Sequence, residues 1–191
     1  MKASDTIPNL TSMSENNAMT EGAASEEAIT AEKNQLGVDC KGANLEGADL
    51  RGADLAGANL KGANLDWANL EYANLYRANL QGAELTGANL YRANLKDAYL
   101  EGANLEGASL WRADLEGANL REANLKGAEL AGADLTGADL LGANLSNANL
   151  IDADLSGRNL TGANLAGAYL IDADLTGADL TGAYWILKQI Q

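Results

Sequence analysis

The chain has 191 residues with 47% hydrophobic content, no histidine or phenylalanine, and a single cysteine, which excludes an internal disulfide. Its formal net charge of −14 disfavours direct binding to nucleic acid or to an anionic membrane, because such binding requires Lys or Arg to neutralise phosphates. No apolar run approaches the roughly 20 residues of a membrane span, and the N-terminus lacks the apolar core of a secretory signal, so we expect a cytoplasmic protein without membrane insertion.

The first 37 residues differ in composition from the rest of the chain. Residues 1–21 are polar, rich in Ser, Asn and Thr, and aperiodic, which predicts a disordered leader. Residues 22–37 carry helix signals, with Ser25 as a cap, acidic residues in the first turn and Gly37 as a stop. A repeat array exposes its first layer unless something covers it, so residues 22–37 are predicted to form a capping helix, with continuing disorder as the alternative.

Residues 38–187 repeat one five-residue pattern thirty times, beginning as VDCKG and settling into ANLEG and ADLRG. Leucine occupies every fifth position from Leu45 to Leu180, with Cys40 in register before the run and Trp185 after it. On an α-helix five residues advance about 500°, and on a strand an odd spacing alternates faces, so neither element can bury every leucine. A chain that turns a corner once per repeat can bury them, which predicts an all-β solenoid with Ala and Leu inside and Asn or Asp outside.

The corner of each repeat is predicted from its glycine. In nineteen repeats glycine takes the second corner position, where a type II turn requires positive φ. Ten of the other repeats are predicted to use a different turn, such as type I, because they carry a side chain at this position: Trp67, Tyr72, Arg77, Arg92, Asp97, Arg112, Glu122, Asn147, Asp152 and Asp172.

Several recurrences favour a coil of four repeats. The dipeptide Tyr91-Arg92 returns twenty residues later as Trp111-Arg112, and IDADL at 151–155 returns at 171–175. Opposite charges twenty residues apart would lie over one another in such a coil and stabilise it. These charges are Arg51 and Glu71, Arg77 and Asp97, Glu101 and Arg121, and Glu106 and Lys126.

The repeat A(N/D)LxG, found thirty times in register, resembles that of the pentapeptide-repeat protein family, which is common in cyanobacteria. The resemblance implies a right-handed, quadrilateral parallel β-helix with four pentapeptides per coil and about 7.5 coils. One branch of the family resembles duplex DNA and protects gyrase, a topoisomerase. That branch typically carries Phe at core centres and often has loops, and this chain has neither.

Two positions depart from the pattern inside the predicted core. Arg158 occupies an inward alanine slot, where a buried and unpaired guanidinium would be too costly. We therefore expect either a backbone bulge or a side chain that reaches solvent, and a structural irregularity or a functional contact accounts for it. Cys40 is predicted to be a small core residue, because a free cysteine packs like a hydrophobic side chain.

The C-terminal end loses the register after Trp185, and residues 188–191 form a tail. Its apolar residues either cover the last coil or form a surface for self-association, because an uncovered layer exposes strand edges. We therefore expect a monomer or a dimer mediated by the C-terminal end. The residues concerned are Trp185, Ile186, Leu187 and Ile190.

One outward column is rich in aromatic, arginine and apolar residues. Residues of these types anchor protein interfaces, so the column is a candidate protein-docking stripe. The alternative is that the side chains stack on one another and merely hold the coils together. The stripe comprises Trp67, Tyr72, Tyr91, Arg92, Trp111, Arg112, Ile151 and Ile171.

A second column carries one acidic residue in each of four successive coils: Asp114, Asp134, Asp154 and Asp174. Like charges about 5 Å apart repel, so this ladder lowers stability unless something screens it. A solvated face is one interpretation. Loose binding of Ca²⁺ or Mg²⁺, or a basic protein partner, is the other.

The sequence offers little for catalysis. It has no histidine, no Gly-rich phosphate loop and no insertion in which a pocket would form, so we expect neither an enzyme nor a cofactor. The favoured prediction is a non-catalytic β-helical interaction or scaffold module with an unknown protein partner. The alternative is a DNA mimic that binds DNA gyrase.

Overall fold

The computed structural model describes residues 37–185. The predicted leader, nearly all of the predicted capping helix and the tail lie outside these residues. Within the described range the backbone forms no helix and no strand longer than one residue. Each repeat instead has one parallel β-bridge residue, such as Asn104, followed by a two-residue turn, such as residues 106–107.

The bridges set the register of the solenoid. Every bridge joins residues twenty apart, from the pair Asp39 and Asn59 to the pair Asn164 and Tyr184. Four repeats therefore complete one coil, as the recurrences in the sequence predicted, and each repeat forms one side. Residues twenty apart lie over one another in columns, so outward side chains of successive coils meet along the axis.

The repeat Ala103-Asn104-Leu105-Glu106-Gly107 shows why five residues suffice for one side. The Asn104 N–H donates to the coil on one side, while the N–H groups of Leu105 and Gly107 donate to the other at 2.7 and 2.9 Å. The Ala103 N–H closes the preceding turn at 2.9 Å. The fifth N–H, that of Glu106, donates to the Asn104 side-chain oxygen at 3.3 Å. Every backbone donor of the repeat is therefore satisfied.

That last contact explains why Asn or Asp precedes leucine. Its side-chain oxygen accepts the N–H two residues later, the Asx turn that these two residues favour. The contact recurs along the chain, for example from Tyr91 to Asn89 at 3.1 Å and from Thr136 to Asp134 at 2.9 Å. A side chain expected only to face solvent thus serves the turn.

The core consists of the two inward positions. Every leucine from Leu45 to Leu165 is at most 2% exposed, and the alanines two residues before them are buried from Ala48 onward, apart from the slot of Arg158. Each buried leucine contributes on the order of 1.5–3 kcal/mol. The alanines leave room for the leucines, so the shaft is filled and no buried polar residue occurs among residues 37–185.

The prediction of a second turn type is wrong. Within residues 37–185 all ten non-glycine residues at the second corner position adopt φ between 52° and 60°, close to the 60–74° of the glycines in the repeats. The backbone hydrogen bonds between coils, which form a ladder along the solenoid, force this conformation. The N–H at this position must reach the next coil, as the Tyr72 N–H reaches the Tyr91 carbonyl at 2.9 Å. Non-glycine residues in this region are strained. The tertiary structure therefore overrides the local preference.

Two of the four predicted charge pairs form. The arginines of the other two pairs form ion pairs with different carboxylates. Lys126 Nζ lies 2.9 Å from Glu106, and Arg77 Nε lies 3.6 Å from Asp97. Arg51 pairs with Asp49 in its own repeat, and Arg121 pairs with Asp139, eighteen residues away. A further pair of the stacked kind, Lys96 and Glu116, was not foreseen.

Cys40 is buried in the first described layer, as predicted. Burial raises the pKa of its thiol, and the neighbouring Asp39 carboxylate acts in the same direction. The thiol therefore stays protonated and unreactive at neutral pH.

Candidate protein-docking surface

Three aromatic rings of the predicted stripe form one contiguous cluster across successive coils. The ring centroids of Tyr72 and Tyr91 are 5.5 Å apart in an edge-on arrangement, and those of Tyr91 and Trp111 are 5.3 Å apart and tilted by 42°. Tyr72 is 53% and Trp111 47% exposed, so the cluster faces solvent while its members brace one another. Rings held in this way lose little freedom when a partner binds.

Two arginines complete the cluster. The guanidinium carbon of Arg92 lies 5.4 Å from the Tyr91 ring centroid, and that of Arg112 lies 5.2 Å from the Trp111 ring centroid, both within cation–π range. The turn explains the pairing, since each arginine follows its aromatic residue and its positive φ turns the side chain back over that ring. We call Tyr72, Tyr91, Arg92, Trp111 and Arg112 the aromatic–arginine cluster.

Trp67 lies apart from this cluster, at the preceding corner. It is 67% exposed, and its ring extends over Gly87, one coil away. A methyl group on Gly87 would overlap the ring, so this glycine makes room for the tryptophan. Trp67 therefore packs across two coils at one corner. Holding coils together in this way is the alternative to docking that the sequence left open for the whole stripe.

Ile151 and Ile171 are also separated from the cluster. The coil between Trp111 and Ile151 presents only Ala131 and Gly132 at the equivalent positions. Ile171 is 44% exposed and Ile151 is half-buried. The structure therefore divides the predicted stripe into an aromatic–arginine patch and a smaller isoleucine patch flanked by aspartates.

The four aspartates of the predicted ladder occupy one column, but each is engaged in its own turn. Their carboxylates accept N–H groups two residues later, at 3.0 Å for Asp114, 2.9 Å for Asp134 and Asp154, and 2.8 Å for Asp174. Among residues 37–185 no three acidic, histidine or cysteine side chains lie close enough to hold a metal ion. The carboxylates of this column therefore serve their own turns, and cation binding stays a prediction.

Hydroxyl groups stabilise the charged carboxylates of two aspartates in this column, Asp154 and Asp174. The Ser156 hydroxyl donates to Asp154 at 2.6 Å and is the largest cause of a lowered pKa at that carboxyl. The Thr176 hydroxyl likewise lowers the pKa of Asp174, although the charge of Asp154 acts in the opposite direction. Both groups therefore stay ionised, and the repulsion expected from the sequence is largely offset locally.

Arg158 separates two coils without inserting a residue. Its turn is regular, with the Arg158 N–H donating to the Leu155 carbonyl at 3.1 Å, and bridges twenty residues apart continue on both sides. Its Nε donates to the Ser156 carbonyl at 2.8 Å, where the Gly137 N–H would otherwise donate. In the described part of the chain, the bridge between Asp134 and Asp154 is the missing member of the series. The half-buried side chain thus produces a structural irregularity, as expected, but one that consists of lost contacts between coils and not of a bulge or a fully exposed guanidinium.

Sequence reasoning missed an asparagine ladder on another side. Asn164, Asn144, Asn124 and Asn104 are hydrogen-bonded in series, each side-chain amide donating to the oxygen one coil away at 2.9–3.2 Å. Asn recurring at twenty-residue intervals was the available signal.

A second feature, an open pocket of about 320 Å³ beside Arg77, Asp97 and Tyr99, brings together no catalytic set of groups.

A family model for pentapeptide repeats matches residues 37–71, 73–112, 113–150 and 148–184, which is well over half of the chain. This chain belongs to the pentapeptide-repeat family. As a family member it forms a repeat solenoid of the right-handed β-helix type. In the described part of the chain no helix is suited to crossing a bilayer. Curated proteins gave no significant match.

Several solved structures resemble this pentapeptide-repeat protein. HetL, a pentapeptide repeat protein involved in heterocyst differentiation regulation in the cyanobacterium Nostoc sp. strain PCC 7120, is 32% identical over 80% of this chain and 92% of its own, with a TM-score of 0.29. Another Nostoc pentapeptide repeat protein is 30% identical over 64% of this chain and 84% of its own, with a TM-score of 0.44. QnrB1, a plasmid-mediated fluoroquinolone resistance protein, is 23% identical over 82% of this chain and 87% of its own, with a TM-score of 0.40. The assignment rests on the repeats and not on these superpositions.

Proposed function

We propose that this pentapeptide-repeat protein is a non-catalytic interaction module that docks a partner protein on the aromatic–arginine cluster. The observation that carries the proposal is the solvent-facing stack of Tyr72, Tyr91 and Trp111, with two guanidinium groups beside it. Tyr, Trp and Arg are the residues most often found at interface hot spots. The shaft of residues 37–185 supports the non-catalytic part, because its inward positions are occupied by buried Ala and Leu side chains.

The regular backbone beneath the cluster suits it to docking. The backbone of the cluster is part of the ladder, with the Arg92 N–H donating to the Trp111 carbonyl at 3.1 Å and the Arg112 N–H to the Ala131 carbonyl at 3.2 Å. A partner would therefore bind a preformed surface and would not have to order a loop. Preformed surfaces give more affinity for the same buried area.

A comparison of captured proteins tests the proposal. The full chain, a Tyr91→Ser/Trp111→Ser variant and a Tyr99→Ser control are each immobilised and exposed to lysate of the source organism. Tyr99 is a suitable control because it is 49% exposed but lies on another side. We expect partners retained by the wild type and the control to be lost from the double variant. Identical captured sets, with circular dichroism unchanged, would remove the proposal.

A DNA mimic that binds gyrase is the second candidate, and the net charge of −14 is the observation in its favour. We place it second because Arg92 and Arg112 interrupt the acidic surface with exposed cations. A supercoiling assay with purified gyrase, with and without a quinolone, decides it. Inhibition or protection at micromolar protein would favour the mimic, and an unchanged rate would eliminate it.

A further inference from the structure

We infer that Arg92 and Arg112 form a carboxylate-binding pair that selects an acidic segment of the partner protein. The inference rests on the proposed docking function of the aromatic–arginine cluster and names the chemistry of what docks there. The two arginines are twenty residues apart, in the same column of adjacent coils, about 4.8 Å from one another along the axis. Their guanidinium groups are therefore presented side by side.

The contacts of the other arginines set this pair apart. Five basic side chains among residues 37–185 form ion pairs with carboxylates: Arg51, Arg77, Lys96, Arg121 and Lys126. The Arg158 guanidinium donates to the Ser156 carbonyl. Of the guanidinium groups in that range, those of Arg92 and Arg112 are the two that join neither an ion pair nor a hydrogen bond. Because neither arginine joins an ion pair with an acidic residue of that range, both leave their charge for an external anion.

Backbone strain at both positions supports a role beyond stability. Arg92 has φ 52° and Arg112 has φ 55°, a region that glycine occupies in most other repeats without strain. A side chain in this conformation brings Cβ close to the following carbonyl oxygen, which is unfavourable. Within residues 37–185 neither arginine forms an ion pair, and the side-chain contact of each is the cation–π contact with its neighbouring ring. Strain held at an exposed position with only this contact to offset it points to a binding function.

The rings prepare the arginines for a carboxylate. Tyr91 and Trp111 contact the guanidinium groups in cation–π geometry and limit their freedom, while the N–H groups remain available to solvent. A carboxylate can then accept two parallel hydrogen bonds from one guanidinium. Carboxylates on alternate residues of one extended peptide share a face and would engage both arginines, and an apolar side chain two residues further along would lie against the rings. The ligand is therefore an acidic peptide with an apolar residue on the same face, beside its carboxylates.

The charge on either side of the pair excludes a long polyanion. The column that holds both arginines continues through Gly132 to Asp152 and Asp172, and Glu71 lies next to Tyr72 at the other end. Duplex nucleic acid carries one charge per roughly 1.7 Å and would extend over these carboxylates. A short acidic peptide matches a cationic patch two coils high with acidic limits on both sides.

The inference is tested on an array of hexapeptides that vary in Glu, Gln, Leu and Tyr content. The array is probed with the labelled full chain. We expect wild-type binding to favour peptides with two Glu residues over the matched Gln peptides by at least tenfold. An Arg92→Gln/Arg112→Gln variant should lose that preference. Arg121→Gln is the matched control, since Arg121 is exposed but already paired with Asp139, and it should retain the preference. Equal binding of Glu and Gln peptides by the wild type overturns the inference.

Further comparisons distinguish a failure of this inference from a failure of the proposed docking function. If Tyr91→Ser/Trp111→Ser abolishes peptide binding while the double arginine variant keeps the Glu preference, docking stands and the carboxylate pair is wrong. If neither variant changes binding, both fail. Sedimentation identifies a second copy as the occupant if the wild type is a dimer and the double arginine variant a monomer. That result, or tighter binding of a single-stranded oligonucleotide than of any peptide, overturns the inference.

Discussion

Arg158 Nε donates to the carbonyl oxygen of Ser156 at 2.8 Å, and in doing so it takes the acceptor that the Gly137 N–H would use in a regular coil. Three further ladder bonds are missing around it in the described residues, between Leu135 and Asp154, Ala133 and Asp154, and Ala138 and Asn159. The next one, from the Leu140 N–H to the Asn159 carbonyl, is lengthened to 3.2 Å. One side chain in an alanine slot therefore opens a seam between two coils.

Replacing Arg158 with alanine is expected to close this seam. The four restored backbone bonds outweigh the lost contact to Ser156, so the free energy of unfolding should rise by about 1–3 kcal/mol. Urea denaturation followed by circular dichroism measures it. Arg121→Ala, which removes an exposed arginine from a regular coil, should change stability little. A lower urea midpoint for Arg158→Ala would show that the guanidinium is a net stabiliser.

Glycine at a strained corner is expected to stabilise the solenoid. Glu122 has φ 57°, so Glu122→Gly relieves backbone strain and should raise the free energy of unfolding by about 0.5–1 kcal/mol after the extra entropy of the unfolded chain is included. Asn147→Gly is the comparison, since Asn147 has the same φ but asparagine tolerates it better. Thermal unfolding of the two variants ranks the effects, and a larger gain for Asn147→Gly would contradict the argument.

The asparagine ladder is expected to contribute measurable stability. Asn124 donates to Asn104 at 2.9 Å, accepts from Asn144 at 3.0 Å and also accepts the Lys126 N–H. Asn124→Ala should therefore destabilise by about 1–2 kcal/mol more than Asn79→Ala. Asn79 makes the same turn contact, to the Gln81 N–H at 3.1 Å, without belonging to the ladder. Equal losses in urea denaturation would show that only the turn contact matters.

The Asp154 turn predicts a stability change in acid. Because the Ser156 hydroxyl and N–H lower the pKa of Asp154 in the folded state, its contribution is fully present above the unfolded value of about 3.9 and is lost as the pH falls through the folded pKa. Ser156→Ala removes the main cause, so the melting temperature should fall less between about pH 6 and pH 2 than it does in the wild type.

The matched control for that experiment is Ser146→Ala, because Ser146 follows the uncharged Asn144 in an otherwise similar turn. Its melting temperature should keep the acid dependence of the wild type. Titration of the Asp154 carboxyl carbon by NMR gives a second readout. An Asp154 pKa that does not rise in Ser156→Ala would rule out the hydroxyl as its cause.

The aromatic–arginine cluster shows how far a site can be read from sequence. Tyr91 and Trp111 could be assigned to one column because their dipeptides recur at twenty residues. The continuation to Ile151 was expected on the same ground, but Ala131 and Gly132 are too small to connect the two patches. That the arginines lie over the rings follows from the positive φ, which was not expected for these residues.

The sequence by itself determined the solenoid, its twenty-residue coil and the inward position of leucine and alanine, because no helix or strand can bury a residue at every fifth position. Only the tertiary structure decided the corners and the seam. Corners share one left-handed conformation because inter-coil hydrogen bonds outweigh residue preference. The seam arises because Arg158 Nε competes with the Gly137 N–H for one carbonyl oxygen, a contact between coils that no five-residue pattern contains.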